Sequence, residues 1–84
     1  MTYSIEITGT AEKQLKRIGR PEQIRLRDAI RGLAQEPRPQ GFKKLKERGG
    51  YRIRVGAYRV IYDIADQVLR VLVFKVGHRR DVYR

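Results

Sequence analysis

The chain has 84 residues, no cysteine, one histidine and a formal net charge of +11. That length suits a single domain, residues 1–84, burying about 60–65% of the unfolded chain's surface in a modest core. The lack of cysteine excludes disulfides and thiolate metal sites, and one histidine among scattered carboxylates offers no structural zinc set. The charge is uneven. Residues 1–37 carry seven basic and five acidic side chains, whereas residues 38–84 carry thirteen and four. Such asymmetry points to nucleic acid first and an acidic protein second. The basic half reads as strands, so no basic amphipathic helix presents itself to a membrane surface. The N-terminal stretch lacks a signal-peptide core and no apolar run approaches the roughly 20 residues of a membrane span, so the expected location is the cytoplasm.

Thr2–Thr8 alternates, with Tyr3, Ile5 and Ile7 on one face, and predicts a half-buried strand that Gly9 breaks. Thr10 is the expected N-cap of a helix from Ala11 to Ile18, with Ala11, Leu15 and Ile18 as its apolar stripe. Gly19 is expected to close that helix in a left-handed conformation. Pro21 suits the first turn of a second helix reaching about Gln35. Its apolar face is Leu26, Ala29, Ile30, Leu33 and Ala34, and Arg25, Arg27 and Arg31 fall mainly on the solvent side. A short connection favours an antiparallel helical hairpin. Pro37 and Pro39 end it. The connection to Gly50 then carries the basic run Lys43, Lys44, Lys46 and Arg48, with Phe42 and Leu45 as anchors to the core. The run is either a solvated loop or a phosphate-steering segment.

The stretch Tyr51–Ile64, YRIRVGAYRVIYDI, reads as a hairpin. Gly56-Ala57 is a Gly-X pair of the kind a two-residue type II′ turn requires. That turn sets Val55 opposite Tyr58, Arg54 opposite Arg59 and Arg52 opposite Ile61. Tyr51, Ile53, Val55, Tyr58, Val60 and Tyr62 then share the core face, and Arg52, Arg54 and Arg59 share the other. Directly opposed like charges cost roughly 0.2–1 kcal/mol. A phosphate-rich partner would account for them, and a solvated basic face is the alternative. Asp66-Gln67 makes a turn, and Val68–Val76 is nearly continuous apolar sequence, expected to be the most buried strand, covered on both faces and ended by Gly77. The tail from His78 to Arg84 is too polar for the core. Folded back, it would bring His78, Arg79 and Tyr83 to the arginine face, with Arg80 and Arg84 as general electrostatic contacts. Lys75 either lines that face or extends from an edge. The predicted fold is α+β, in the order β-α-α-β-β-β: an antiparallel meander with the first strand at one edge and the helical hairpin on one face.

The sequence shows no paired carboxylates, no Ser-His-Asp arrangement and no GxxxxGK[ST] phosphate loop. A cluster of arginines with an aromatic ring suits one metal-free reaction, attack of an RNA 2′-hydroxyl on the adjacent phosphorus. Fixed guanidinium groups stabilise the phosphorane oxygens, and a stacked ring holds a splayed base. DNA lacks the nucleophile.

The stretches YRIRVGAYRVIYDI and VFKVGHRRDVYR resemble the RelE toxins of the RelE/ParE toxin–antitoxin superfamily. The resemblance covers nearly the whole chain and implies cleavage of mRNA in the ribosomal A site without cofactor, metal or small-molecule ligand. It implies that Arg52 and Arg54 stabilise the scissile phosphate, that Arg59 holds a phosphate, that Arg79 assists the leaving oxygen and that Tyr83 positions a base. Lys43, Lys44, Lys46, Arg48, Arg80 and Arg84 would be RNA-binding. It also implies a RelB-like antitoxin partner. Better-known members carry lysines where this chain has Arg52 and Arg54. Arginine is effectively always charged, which makes His78 the best proton acceptor by chemistry. The ParE branch, which poisons DNA gyrase by protein contact, and a non-catalytic RNA-binding module are the rival expectations.

Overall fold

A computed structural model describes residues 2–46 and 48–80. The elements are β1 (Ser4–Ile7), α1 (Gly9–Lys16), α2 (Arg20–Gly32), β2 (Lys43–Lys44), β3 (Tyr51–Val55), β4 (Tyr58–Ala65) and β5 (Arg70–His78). The sheet order is β1-β5-β4-β3-β2. β1 runs parallel to β5, and the other pairs are antiparallel. The expected α+β order stands, with β2 added: two lysines of the basic run pair with Arg52 and Tyr51.

Local chemistry moves several boundaries. Thr8, not Thr10, caps α1: its backbone is still extended, and its Oγ1 accepts the Ala11 N–H at 3.2 Å. The helix therefore starts at Gly9, which opens it rather than merely breaking the strand. Gly19 is not left-handed. At φ −54° and ψ 149° it precedes α2 as its N-cap, with Pro21 in the first turn. Gln23 closes the junction by donating from Nε2 to the Ile18 carbonyl at 3.1 Å. α2 ends at Gly32, short of the expected Gln35, and turns carry the chain on through Ala34, whose carbonyl accepts the Tyr3 N–H at 2.7 Å.

The core lies between the helices and one sheet face. Ala11 and Leu15 of α1 and Leu26 and Ile30 of α2, with Leu33 just beyond it, meet Ile53, Val60, Tyr62, Val71, Val73 and Val76. Each buried aliphatic side chain contributes roughly 1.5–3 kcal/mol. Simple alternation would give Lys75, not Val76, to this core. A bulge decides otherwise: Ile61 pairs with Lys75 and Tyr62 with Val73, leaving Phe74 as the extra residue. Just past it, the Val76 N–H donates to Gln14 Oε1 at 2.8 Å, tying α1 to the sheet.

β5 also begins later and runs further than expected. Val68 is 61% exposed in a 3₁₀ turn over Asp66–Val68, and Gly77 lies inside the strand. Nor is β5 fully covered on both sides, since Leu72 and Phe74 are only half-buried.

The connection after α2 is strapped down by side chains. The buried Tyr62 hydroxyl donates to the Pro37 carbonyl at 2.6 Å, and burial pushes its phenol up to about 12. Arg38 pairs with Asp66 at 2.9 Å and lies 5.4 Å from the centroid of the Tyr51 ring. Tyr3 donates its hydroxyl to the same carboxylate at 2.7 Å. Hydrogen bonds from Arg38 and then Tyr3 hold the Asp66 carboxyl down at about 2. Phe42 packs against the core as expected, with its ring 6.1 Å from that of Tyr51. Among the described residues, no helix is long and apolar enough to cross a membrane.

Candidate functional site

The hairpin has the register its turn residues predict. Gly56 takes φ 62° at the first turn position, and Val55–Tyr58, Arg54–Arg59 and Arg52–Ile61 are direct partners. Extending the register to both neighbouring strands gives two rows on the face away from the helices. One row is Lys43, Arg52, Ile61 and Lys75. The next, one step toward the turn, is Arg54, Arg59 and Gly77. Gly77 adds no side chain to the second row.

The arginines are not equivalent. Arg54 is exposed and Arg59 half-buried. Arg52, expected on an open face, is only 6% exposed, between Lys43 and the fully buried Ile61. Its Nε has no hydrogen-bond partner among the described residues. A buried donor without an acceptor costs about 1–3 kcal/mol, and an oxygen-rich anion would relieve that cost.

Arg79 joins this end of the sheet. Its N–H donates to the Ala57 carbonyl at 2.9 Å, fixing the start of the tail against the hairpin turn, and its side chain is exposed. The expectation that His78 joins the arginines is corrected. His78 pairs with Tyr58, and direct partners share a face, so its ring lies on the helix side. There it meets Tyr58 edge-on, centroids 5.7 Å apart at 75°. Its Nδ1 accepts the Arg80 N–H at 3.3 Å. Tyr83 and Arg84 lie outside the described residues.

Among the RNA-binding candidates, Lys43 lines the arginine face, whereas Lys44 pairs with Tyr51 and points to the helix side. Lys44, Lys46, Arg48 and Arg80 are exposed. Lys75 was left open by sequence alone, and the bulge turns it onto the arginine face. Sequence also left Arg25 on the solvent side of α2. Its guanidinium instead lies over the hairpin turn, where a Cβ on Gly56 would stand 3.7 Å from Nη1. A cleft of about 260 Å³ opens there between α2 and the turn. A second, of about 550 Å³, lies between the end of α2, the loop at Pro39 and the open edge of β3.

The ParE toxin family of type II toxin–antitoxin systems, parDE, matches residues 5–83. The toxin RelG of Mycobacterium tuberculosis is 33% identical, over 100% of this chain and 99% of its own. The RelBE2 toxin–antitoxin complex of the same organism has a chain 28% identical with a TM-score of 0.82, covering 94% of this chain and 100% of that one. An archaeal RelE–RelB complex from Pyrococcus horikoshii is also 28% identical, at a TM-score of 0.85, over 96% and 99% of the two chains. The isolated RelE toxin of Escherichia coli is 25% identical at a TM-score of 0.78, over 96% and 90%.

Proposed function

Because this chain belongs to the ParE toxin family, a toxin of the RelE/ParE superfamily of type II toxin–antitoxin systems, we propose that it acts as a ribosome-dependent mRNA endoribonuclease in the cytoplasm. The observation that carries this reading is the directly opposed Arg54–Arg59 pair at the open end of the sheet. Two arginines on one rung of the sheet concentrate positive charge where a phosphate can be met.

In this reading the 2′-hydroxyl attacks the adjacent phosphorus, the bond to the 5′-oxygen breaks, and a 2′,3′-cyclic phosphate and a 5′-hydroxyl result. Arg54 and Arg59 stabilise the non-bridging oxygens as charge builds on them. Arg52, in the adjoining row, offers an Nε–H that has no partner among the described residues. Arg79 faces the leaving oxygen, and Tyr83 stacks on a base. Lys43, Lys46, Arg48, Arg80 and Arg84 steer the RNA backbone. His78 stands outside the proton transfer because it lies on the other face. The guanidinium groups stay charged throughout, so the attacking hydroxyl gives up its proton to solvent or to a ribosomal group, and the leaving 5′-oxygen takes one from the same source. The partner is a RelB-like antitoxin whose acidic segments neutralise the +11 surface.

In vitro translation with primer extension tests the reading, comparing wild type with Arg79→Ala and Tyr83→Ala. Cuts within A-site codons that need ribosomes and disappear in both variants are the expected result. Arrest without cuts would move the function to ribosome binding. Normal translation would favour the gyrase-directed activity of the ParE branch, whose name the matching family bears.

A further inference from the structure

The cleft between α2 and the hairpin turn sits on the face opposite the arginines, yet only one register step from them. Val55–Tyr58 is the rung next to Arg54–Arg59, about 3.4 Å along the strands. Its walls are Val55, Gly56, Tyr58 and His78 from the sheet and Glu22 and Arg25 from α2. Its volume of about 260 Å³ is below the roughly 300–1,000 Å³ of a drug-sized ligand site. It has room for one nucleobase.

The chemistry of the walls is selective. Tyr58 and His78 supply two rings held edge to face, the kind of surface on which an unstacked base rests. Because His78 Nδ1 accepts from the Arg80 N–H, a neutral imidazole there carries its proton on Nε2 and presents it as a donor. Above the rings, Glu22 and Arg25 stand three residues apart on one helix face, as neighbours. The other charged side chains of the middle of α2 are engaged: Arg27 with Glu12, and Arg31 with Asp28. Glu22 and Arg25 take part in no ion pair among the described residues. An acceptor-only carboxylate beside a donor-only guanidinium matches an edge that both donates and accepts. Guanine has one, with N1–H and the 2-amino group as donors and O6 and N7 as acceptors. Adenine offers no N1–H, and uracil and cytosine are smaller and lack N7.

We propose that this cleft is a guanine-binding subsite, in which Glu22 accepts from the Watson–Crick edge, Arg25 donates to O6 or N7, and Tyr58 and His78 hold the ring. Its role in cleavage rests on the ribonuclease reading: a strand whose phosphate lies on the Arg54–Arg59 pair turns over the Gly56 hairpin and inserts a neighbouring base. Glu22 and Arg25 are then specificity residues that leave the phosphate chemistry alone.

The test is an amide chemical-shift titration of the full chain with the four ribonucleoside 5′-monophosphates and inosine 5′-monophosphate. Their phosphate group is common, so differences report the base. Guanosine monophosphate is expected to shift Gly56, Tyr58 and His78 and to bind about fivefold more tightly than the adenosine compound, the low end for a bidentate base contact. Inosine monophosphate, without the 2-amino group, is expected to fall between them. Glu22→Gln and Arg25→Ala should each erase the preference. Equal affinity for all five, or a guanine preference that survives both variants, overturns the subsite. Primer extension on the same proteins separates the two ideas. Cleavage by wild type without a guanine preference in the titration removes the subsite and keeps the ribonuclease. A guanine preference without cleavage keeps the subsite and removes the ribonuclease.

Discussion

Replacing Arg54 with glutamine should make the protein more stable and less active at once. Arg54 is exposed and directly opposite Arg59. Removing one charge of an opposed like-charged pair relieves roughly 0.2–1 kcal/mol. In a domain of 84 residues each kcal/mol moves the melting temperature by about 4–8 °C, so the expected gain is about 1–8 °C. Glutamine keeps much of the length and packing of the stem, so little opposes the gain. Ionic strength gives the internal check. The screening length falls from about 8 Å at 0.15 M salt to about 3 Å at 1 M, so the difference between variant and wild type should shrink with salt. Over the same substitution, ribosome-dependent cleavage should fall about a hundredfold to a thousandfold, the cost of losing one preorganised charge from a transition state. Arg54→Lys keeps the charge and should show no stabilisation. Calorimetry at the two salt concentrations and primer extension read the two halves. A loss of stability, or a gain unaffected by 1 M salt, would refute the repulsion, and cleavage at the wild-type rate would refute the phosphate role.

Tyr62→Phe leaves the buried Pro37 carbonyl without its donor and should cost about 1–3 kcal/mol in urea unfolding at unchanged m-value. Asp66 sits at about 2 in the folded protein against an ordinary 3.8, so its contribution is full above pH 4 and lost as pH falls through 2. Wild type should exceed Asp66→Asn in melting temperature at neutral pH, and the two should converge near pH 2. Gly50 has φ +87°, and a Cβ there would stand 3.0 Å from both Asp63 Oδ1 and the Tyr62 carbonyl oxygen. Gly50→Ala should therefore destabilise by at least about 1–3 kcal/mol, seen as a lower urea midpoint. His78→Gln should leave the pH profile of cleavage unchanged, because the ring faces away from the arginines. A profile altered by the substitution would return His78 to the proton transfer.

The hairpin was legible because its information is local: a Gly-X turn and strict alternation place every residue from Tyr51 to Tyr62, and the structure repeats that register pair for pair. The boundaries that moved depend on contacts distant in sequence or on competing caps. Thr8 and Thr10 offer the same hydroxyl, and only the path out of β1 chooses between them. Lys43 and Lys44 read as loop because two charged residues carry no strand pattern, and β3 recruits them from outside. The faces of β5 were unreadable because a bulge has no signature in a run of valines and leucines. That one irregularity kept Lys75 ambiguous. His78 was misplaced because its side was set by the pairing with Tyr58, whereas a polar tail had suggested proximity to the charged face. Arg25 looked like an ordinary solvent-side residue, because helical periodicity does not report what stands across the gap.

The bulge at Phe74 also sets which changes of length the chain tolerates. Because Phe74 is the extra residue of the bulge, removing it would close the bulge and leave the pairs Tyr62–Val73, Ile61–Lys75 and Val60–Val76 as they are. A residue added or lost between Lys75 and His78 would instead exchange the sides of everything after it. At Gln40 and Gly41, ahead of β2, an added residue by contrast only lengthens an exposed connection, at an entropic cost that grows slowly with length. Related toxins should therefore vary in length before β2, while the stretch from Arg70 to His78 changes length only by the one residue at Phe74. An aligned set of such chains would reveal the bulge as a one-residue gap between the Val73 and Lys75 positions.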